Sequence, residues 1–236
     1  MRAVAPLLVL AATAAAGVRV GASARAAAAP RARATVGLTA PTALVPIAQG
    51  SEELEATAIV NVLRRAGWQV TLASVGVPAG EPVECARGQR LLVDQTIQQA
   101  AACEYDVVAI PGGMPGASNL GASEDVIAAL QRQREAGAWY GAICAAPAVC
   151  LQPAGLLPPH ATCHPGFTQT LTDAGCEDRD IDARVVVDDE WRCVTSRGPG
   201  TAIEFALKLV EVVQGPDAAA EVAAPMVLPP RTIAML

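Results

Sequence analysis

From Thr42 onward the chain alternates short apolar runs with segments of helical periodicity. That alternation restricts it to an α/β architecture, a mostly parallel sheet with helices on both faces. "ALVPIA" (43–48) reads as a first strand, and "SEELEATAIVNVLRRAG" (51–67) as a helix with serine at the cap, acids in the first turn and glycine at the exit. "WQVTLASV" is the second strand. A less regular stretch then offers "VEC" and "RLLVD" as short strands and "QTIQQAA" as a brief helix. "YDVVAIPGG" is a core strand, "SEDVIAALQRQREAG" a capped helix, and "AWYGAI" a further strand. "ARVVVDDEWRCVTS" looks like two strands joined at Asp188-Asp189-Glu190, followed by the amphipathic helix "TAIEFALKLVEVVQG".

A chain of 236 residues suits one such domain, expected over 41–215, with a leader over 1–40 and a tail over 216–236. The leader is rich in alanine and arginine and lacks acids, as an organellar transit peptide does. A chloroplast is favoured over a mitochondrion. Secretion is the rival, with "APLLVLAATAAAGV" as its apolar core and "ASA" as its cleavage site.

Five arginines precede the first acid, Glu52, so removing the leader takes the formal charge from -6 to -11. A body that acidic has no basic footprint for nucleic acid. No uninterrupted apolar stretch approaches the ~20 residues of a membrane span, so neither polynucleotide nor bilayer is an expected partner. Seven cysteines form no C-x-x-C pair, and their odd number argues against a complete disulfide framework.

In open α/β sheets, ligands bind beyond the carboxyl ends of the strands, where "IPGGMPG" and "AICAAP" both fall. Cys144 stands between an apolar run and a run of small residues, Ala145, Ala146 and then Pro147. A thiol there is either a small buried hydrophobe or a nucleophile on a tight strand-to-helix turn, where helix dipole and amides favour thiolate. Gly112 and Gly113 either make a simple turn or let backbone N–H groups approach an oxyanion. Glu55 shares a helical face with Ile59, Val62 and Ala66 and should point inward, with Glu52 and Glu53 left facing solvent. It is either a first-turn acid placed by the helix dipole or a buried carboxyl able to carry a proton.

The two histidines lie in "PHATCHPGF". Their H-x-x-x-H spacing with Cys163 lacks a helical frame and a third well-spaced ligand, so no metal is expected. His164 is the better neighbour for Cys144, and His160 reads as a loop residue. "TSRGPGT" sets a rigid turn before the last helix and offers Arg197 to an anion or a carboxylate, or simply to solvent.

Taken in order, "GSEELEATAIVNVLRRAGWQVTLAS", "VVAIPGGMPGASNL", "AICAAP", "CHP", "TSRGPGTAIEFALKLVE" and "EVAAPMVL" resemble the DJ-1 branch of the PfpI superfamily, over nearly everything from Thr42 to Leu228. The resemblance implies a flavodoxin-like three-layer sandwich of the class I glutamine-amidotransferase type, usually a homodimer. It makes Cys144 the nucleophile, Glu55 the carboxyl bonded to it and His164 the nearby histidine. Gly113 and Ala145 become backbone donors, Arg87 an arginine reaching the site across the dimer interface, and Arg197 and Pro199 the loop beside the pocket. Met114 and Cys163 depart from the family's pattern, where a polar residue and a threonine are usual.

The implied activity is a cofactor-independent conversion of 2-oxoaldehydes such as methylglyoxal to 2-hydroxy acids, or removal of their early adducts from glycated protein side chains. A redox sensor or chaperone acting through oxidation of Cys144 is the alternative. A cysteine peptidase or amidase ranks below both, because "CHPGF" has no acid two residues after His164.

Overall fold

The computed structural model describes Met1 and residues 40–229, so positions 2–39 of the expected leader and the last seven positions of the tail lie outside the described residues. β1 (Thr42–Ala48) turns into α1 (Glu53–Arg65), and β2 (Gln69–Val75) runs parallel to β1 in register from Thr42–Gln69 to Ala48–Val75. β3 (Val83–Glu84) and β4 (Arg90–Leu91) form a separate antiparallel hairpin. β5 (Gln95–Thr96), α2 (Ile97–Ala100), β6 (Val107–Ile110), α3 (Gly116–Gly121), α4 (Glu124–Ala136) and β7 (Trp139–Ile143) follow. After a π turn at Pro147–Leu151 come α5 (Thr168–Asp173) and α6 (Asp178–Ile181). The hairpin of β8 (Val185–Asp188) and β9 (Cys193–Ser196) leads to α7 (Ala202–Gln214) and α8 (Pro216–Ala223).

The main sheet has seven strands in the order β5-β2-β1-β6-β7-β9-β8, parallel except where β8 meets β9. Side chains alternate between its faces. Ala43, Val45, Val107 and Ala109 pack with Ile59, Leu63, Phe205 and Leu209 of α1 and α7. Their neighbours Leu44, Val108 and Ile110 turn to Ile97, Leu120 and Leu130 of α2, α3 and α4. Burial on both faces explains why these strands read as nearly continuous apolar runs. Three layers result, as expected. No helix among the described residues is long and apolar enough to cross a membrane.

Connections run from β1 to β2 on one side, whereas β6 and β7 lie on the other. The chain direction across the sheet reverses beside β1, and such a reversal leaves a crevice at the carboxyl ends. The loops after β1, β6 and β7 open there. They carry Gly50, Gly112 and Cys144 respectively.

The start of α1 differs from the sequence expectation. Ser51 is not the cap; its Oγ accepts from Ala48 N at 3.0 Å, and Glu52 caps the helix by accepting from Glu55 N at 2.7 Å. Nor do Glu52 and Glu53 face solvent, since both are buried. The β3–β4 hairpin covers this turn, through Gly50 N to Glu84 O at 2.9 Å and Ala86 N to Ser51 O at 2.8 Å. Glu53 meets it with a carboxylate that accepts from Arg87 N at 2.9 and 3.1 Å. The tail also carries more order than its composition suggested: α8 starts on Gly215-Pro216 and sinks Ala219, Val222 and Ala223 into the core.

Candidate active site

Cys144 follows the last residue of β7 directly, with φ at 65°, the left-handed region that a side chain at this position disfavours. Two backbone bonds hold it there. Its N–H donates to Ser196 O at 2.9 Å, and its carbonyl accepts from His164 N at 2.8 Å. The thiol is 8% exposed at the head of the turn that Ala145 and Ala146 carry into the π turn. Small residues make the elbow sterically feasible. Gly112 makes room from the other side, because a Cβ there would sit 2.5 Å from Cys144 Cβ and 2.9 Å from Glu55 Oε2.

Glu55 points inward as its helical face required, and it is fully buried. Its Oε2 accepts from Gly112 N at 2.7 Å. Its Oε1 is buried without a well-aligned partner, and the polar side chain it interacts with is the Cys144 thiol. Loss of water pushes the Glu55 carboxyl up to about 7, against the smaller opposing pulls of the Gly112 and Cys144 bonds. Burial, then the negative charge of Glu55, push the Cys144 thiol up to about 12, while N–H groups of Gly113 and Ala145 pull it down.

Both rises have burial as their first cause: the pocket resists negative charge, and a charged Glu55 pushes the thiol up further. This corrects the expectation that strand end and helix start suffice to make a thiolate. The resting pair is a thiol beside a carboxyl whose proton affinity burial raises towards neutrality. When Glu55 takes a proton its repulsion vanishes, and the two amides remain to favour sulfur's charge.

Glu55 holds its proton more tightly in the folded chain than at the ordinary 4.5. Its contribution to stability is therefore full below about 4.5 and is lost as pH rises through about 7. Glu55→Gln keeps an acceptor for Gly112 N–H and carries no charge. Urea unfolding should show the variant gaining about 2–4 kcal/mol on the parent between acid and mildly alkaline pH. Parallel pH profiles of the two proteins would refute the assignment.

The glycine pair divides its work. Gly112 N–H is committed to Glu55, so it is not the oxyanion donor expected of it; Gly113, at φ 84°, and Ala145 supply the amides that reach sulfur. A Cβ at Gly113 would lie 2.4 Å from Glu52 N, so the turn admits only glycine without movement. His164 is brought beside Cys144 by its backbone, with its ring exposed. Its Nδ1 accepts from Gly166 N at 3.1 Å, which leaves the ring proton on Nε2.

The other expected residues make contacts of their own. Arg87 is exposed, its guanidinium 3.4 Å from Ala86 O of the same chain. Arg197 is no open anion site, since it donates to Asp182 Oδ1 at 2.5 Å and to Ile181 O at 3.0 Å. Pro199 lines a groove of about 440 Å³ beside α1 and α7. Met114 is 48% exposed next to Gly113, whereas Cys163 is wholly buried among Ala148, Ala161, Leu171 and Cys176.

Sequence reasoning missed Ser196, which acts through its carbonyl, a role that no side-chain pattern signals.

Residues 41–212 match the model of the DJ-1/PfpI family. Among curated proteins, the chain is 43% identical to Protein DJ-1 homolog B of Arabidopsis thaliana over 74% of this chain and 38% of that protein. It is 41% identical to the Parkinson disease protein 7 homolog of Danio rerio, over 79% and 96%. It is 38% identical to Glutathione-independent glyoxalase DJR-1.2 of Caenorhabditis elegans, over 72% and 86%. The chain spans less than half the length of the two Arabidopsis relatives it matches, 38% and 44%. Solved structures of oxidized Toxoplasma gondii DJ-1 (40% identity, covering 80% of this chain and 98% of that one) and Drosophila melanogaster DJ-1beta (37%, covering 81% and 100%) each superpose with a TM-score of 0.73. The matched region takes in the whole seven-stranded sheet, the elbow at Cys144 and the helix that carries Glu55, and along all of it the chain belongs to the DJ-1/PfpI family.

Proposed function

We propose that the chain is a glutathione-independent glyoxalase acting on 2-oxoaldehydes such as methylglyoxal. The observation that supports this most directly is the pairing of an elbow thiol, Cys144, with a buried carboxyl whose proton affinity lies near neutrality. A relative bears the name of that activity.

Glu55 accepts the thiol proton as sulfur attacks the aldehyde carbon, and returns it to the new alkoxide to give a hemithioacetal. Amides of Gly113 and Ala145 stabilise the oxyanion while it lasts. Glu55 carboxylate then removes the hydrogen from the aldehyde carbon to form an enediol, and delivers it to the neighbouring carbon. The aldehyde carbon is oxidised, its neighbour reduced, and the product is a 2-hydroxy thioester on Cys144. Water hydrolyses that ester and restores the thiol. Methylglyoxal plus water gives lactate, so the steps balance without a cofactor. His164 holds the chain beside the elbow and presents Nε2–H at its rim. Early adducts of 2-oxoaldehydes on protein side chains would enter the same sequence after releasing the aldehyde.

Protein free of residues 1–40, mixed with methylglyoxal in the absence of glutathione, is expected to produce lactate. A second role is favoured by the same two amides, which would equally receive the oxygens of a sulfinate on Cys144. No lactate, with Cys144 alone oxidised by mild peroxide in intact-mass analysis, would replace the enzyme with a redox sensor.

We infer further that the chain works as a homodimer. Leu54 is 56% exposed on α1 and lines the groove with Pro199, Ile203 and Met226, a surface that a second copy would cover. Sedimentation at micromolar concentration should give the mass of two chains; the mass of one would end this inference.

A further inference from the structure

Glu52 is a carboxylate that the proposed route does not use, although only 9% of it is exposed. Three hydrogen bonds close a ring through it. Its Oε2 accepts from Glu55 N at 2.7 Å, Glu55 Oε2 accepts from Gly112 N at 2.7 Å, and Gly112 O accepts from Glu52 N at 3.0 Å. Each member holds the next. The Glu52 side chain fixes the Glu55 main chain, the Glu55 side chain fixes the loop after β6, and that loop returns to the Glu52 main chain.

The same loop carries the other half of the chemistry. Gly113 N–H reaches the Cys144 sulfur, and a Cβ on Gly113 would lie 2.4 Å from Glu52 N. The Glu52 main chain therefore packs against the turn that presents this donor. One residue braces both the proton carrier and the oxyanion donor.

Charge adds to geometry. Burial is the largest cause of the raised proton affinity of Glu55; the bonds from Gly112 and Cys144 oppose it, and the negative charge of Glu52 adds to it. Cys144 faces Glu55 from the elbow after β7. Cys85, in the turn between β3 and β4, faces the helix start and is pushed up to about 11 by burial, then by Glu53 and Glu52. Glu53 accepts from Arg87 N, while the Arg87 guanidinium turns to Ala86 O.

We propose that Glu52 is the positioning residue of the proton transfer: through the ring it holds the Glu55 carboxyl against Gly112, and it keeps a negative charge beside that carboxyl. The kinetic part of this inference rests on the glyoxalase reading. Its spectroscopic part needs no turnover.

Glu52→Gln keeps an acceptor for Glu55 N–H and removes the charge, whereas Glu52→Ala removes both. Carbon-13 NMR of protein labelled at its glutamate carboxyls, with the Glu55 signal identified by its loss in Glu55→Gln, follows the titration directly. In Glu52→Gln the Glu55 midpoint should fall by about half a unit or more, and the acid limb of kcat/KM for methylglyoxal should move down with it. Glu52→Ala should lower the thermal midpoint by about 2–4 °C and kcat by about tenfold or more. If that variant folds poorly, Glu52→Gln carries the test alone. A Glu55 midpoint unmoved in Glu52→Gln overturns the proposal whatever the turnover, as does a well-folded Glu52→Ala protein with the parent's kcat. A midpoint that moves in protein making no lactate would end the glyoxalase reading and still uphold the hold of Glu52 on Glu55.

Discussion

Cys144→Ala protein is expected to form no lactate from methylglyoxal, a loss on the order of 10⁴-fold or more, as when the nucleophile of a covalent mechanism is removed. Every bond made to substrate in the proposed route passes through sulfur. Gly113 and Ala145 keep their amides in the variant, and Glu55 keeps its bond from Gly112 N at 2.7 Å. The remaining groups can bind an aldehyde but have no partner to offer its carbon. Chiral lactate analysis after long incubation measures the residue of activity. Turnover comparable to the parent would sink the covalent route, and with it the role given to the elbow.

Glu55→Gln should lower kcat by about 10²–10⁴-fold, the usual contribution of a positioned acid–base group. The same variant should alkylate faster. The charge of Glu55 is one of the causes that push the Cys144 thiol up to about 12, and an amide removes it. Iodoacetamide kinetics at mildly alkaline pH, followed at Cys144 by mass, would show more thiolate in a protein that has lost turnover. This opposite movement separates proton transfer from mere support of the fold. A carboxyl that only filled space would leave both rates close to the parent's.

The fold was legible wherever burial on both faces left continuous apolar runs, as at "VVAI" in β6 and "WYGAI" in β7. α1 was legible by its period, and Glu55 by falling on the same face as Ile59 and Val62. Glu52 was not, because its burial comes from the β3–β4 hairpin, which arrives some thirty residues later in the chain. Gly112 and Gly113 look alike in sequence, yet one amide faces Glu55 and the other Cys144; backbone dihedrals decide that, and composition carries no trace of them. α3 was missed because "GASNLG" is short and opens and closes on glycine. α8 carries its signal in Gly215-Pro216, a proline in the first helical turn after a glycine. His160 found partners in Asp180 and Glu177 that no local spacing could indicate, since both lie across a loop and α5.

The elbow at Cys144 also bears on how such a chain changes under selection. A residue with a side chain held at φ 65° costs folding free energy that glycine or asparagine would largely return. Any screen that scores expression or heat resistance alone therefore rewards loss of the cysteine. Libraries built from this protein need a chemical selection running beside the thermal one, or their most robust members will be inert.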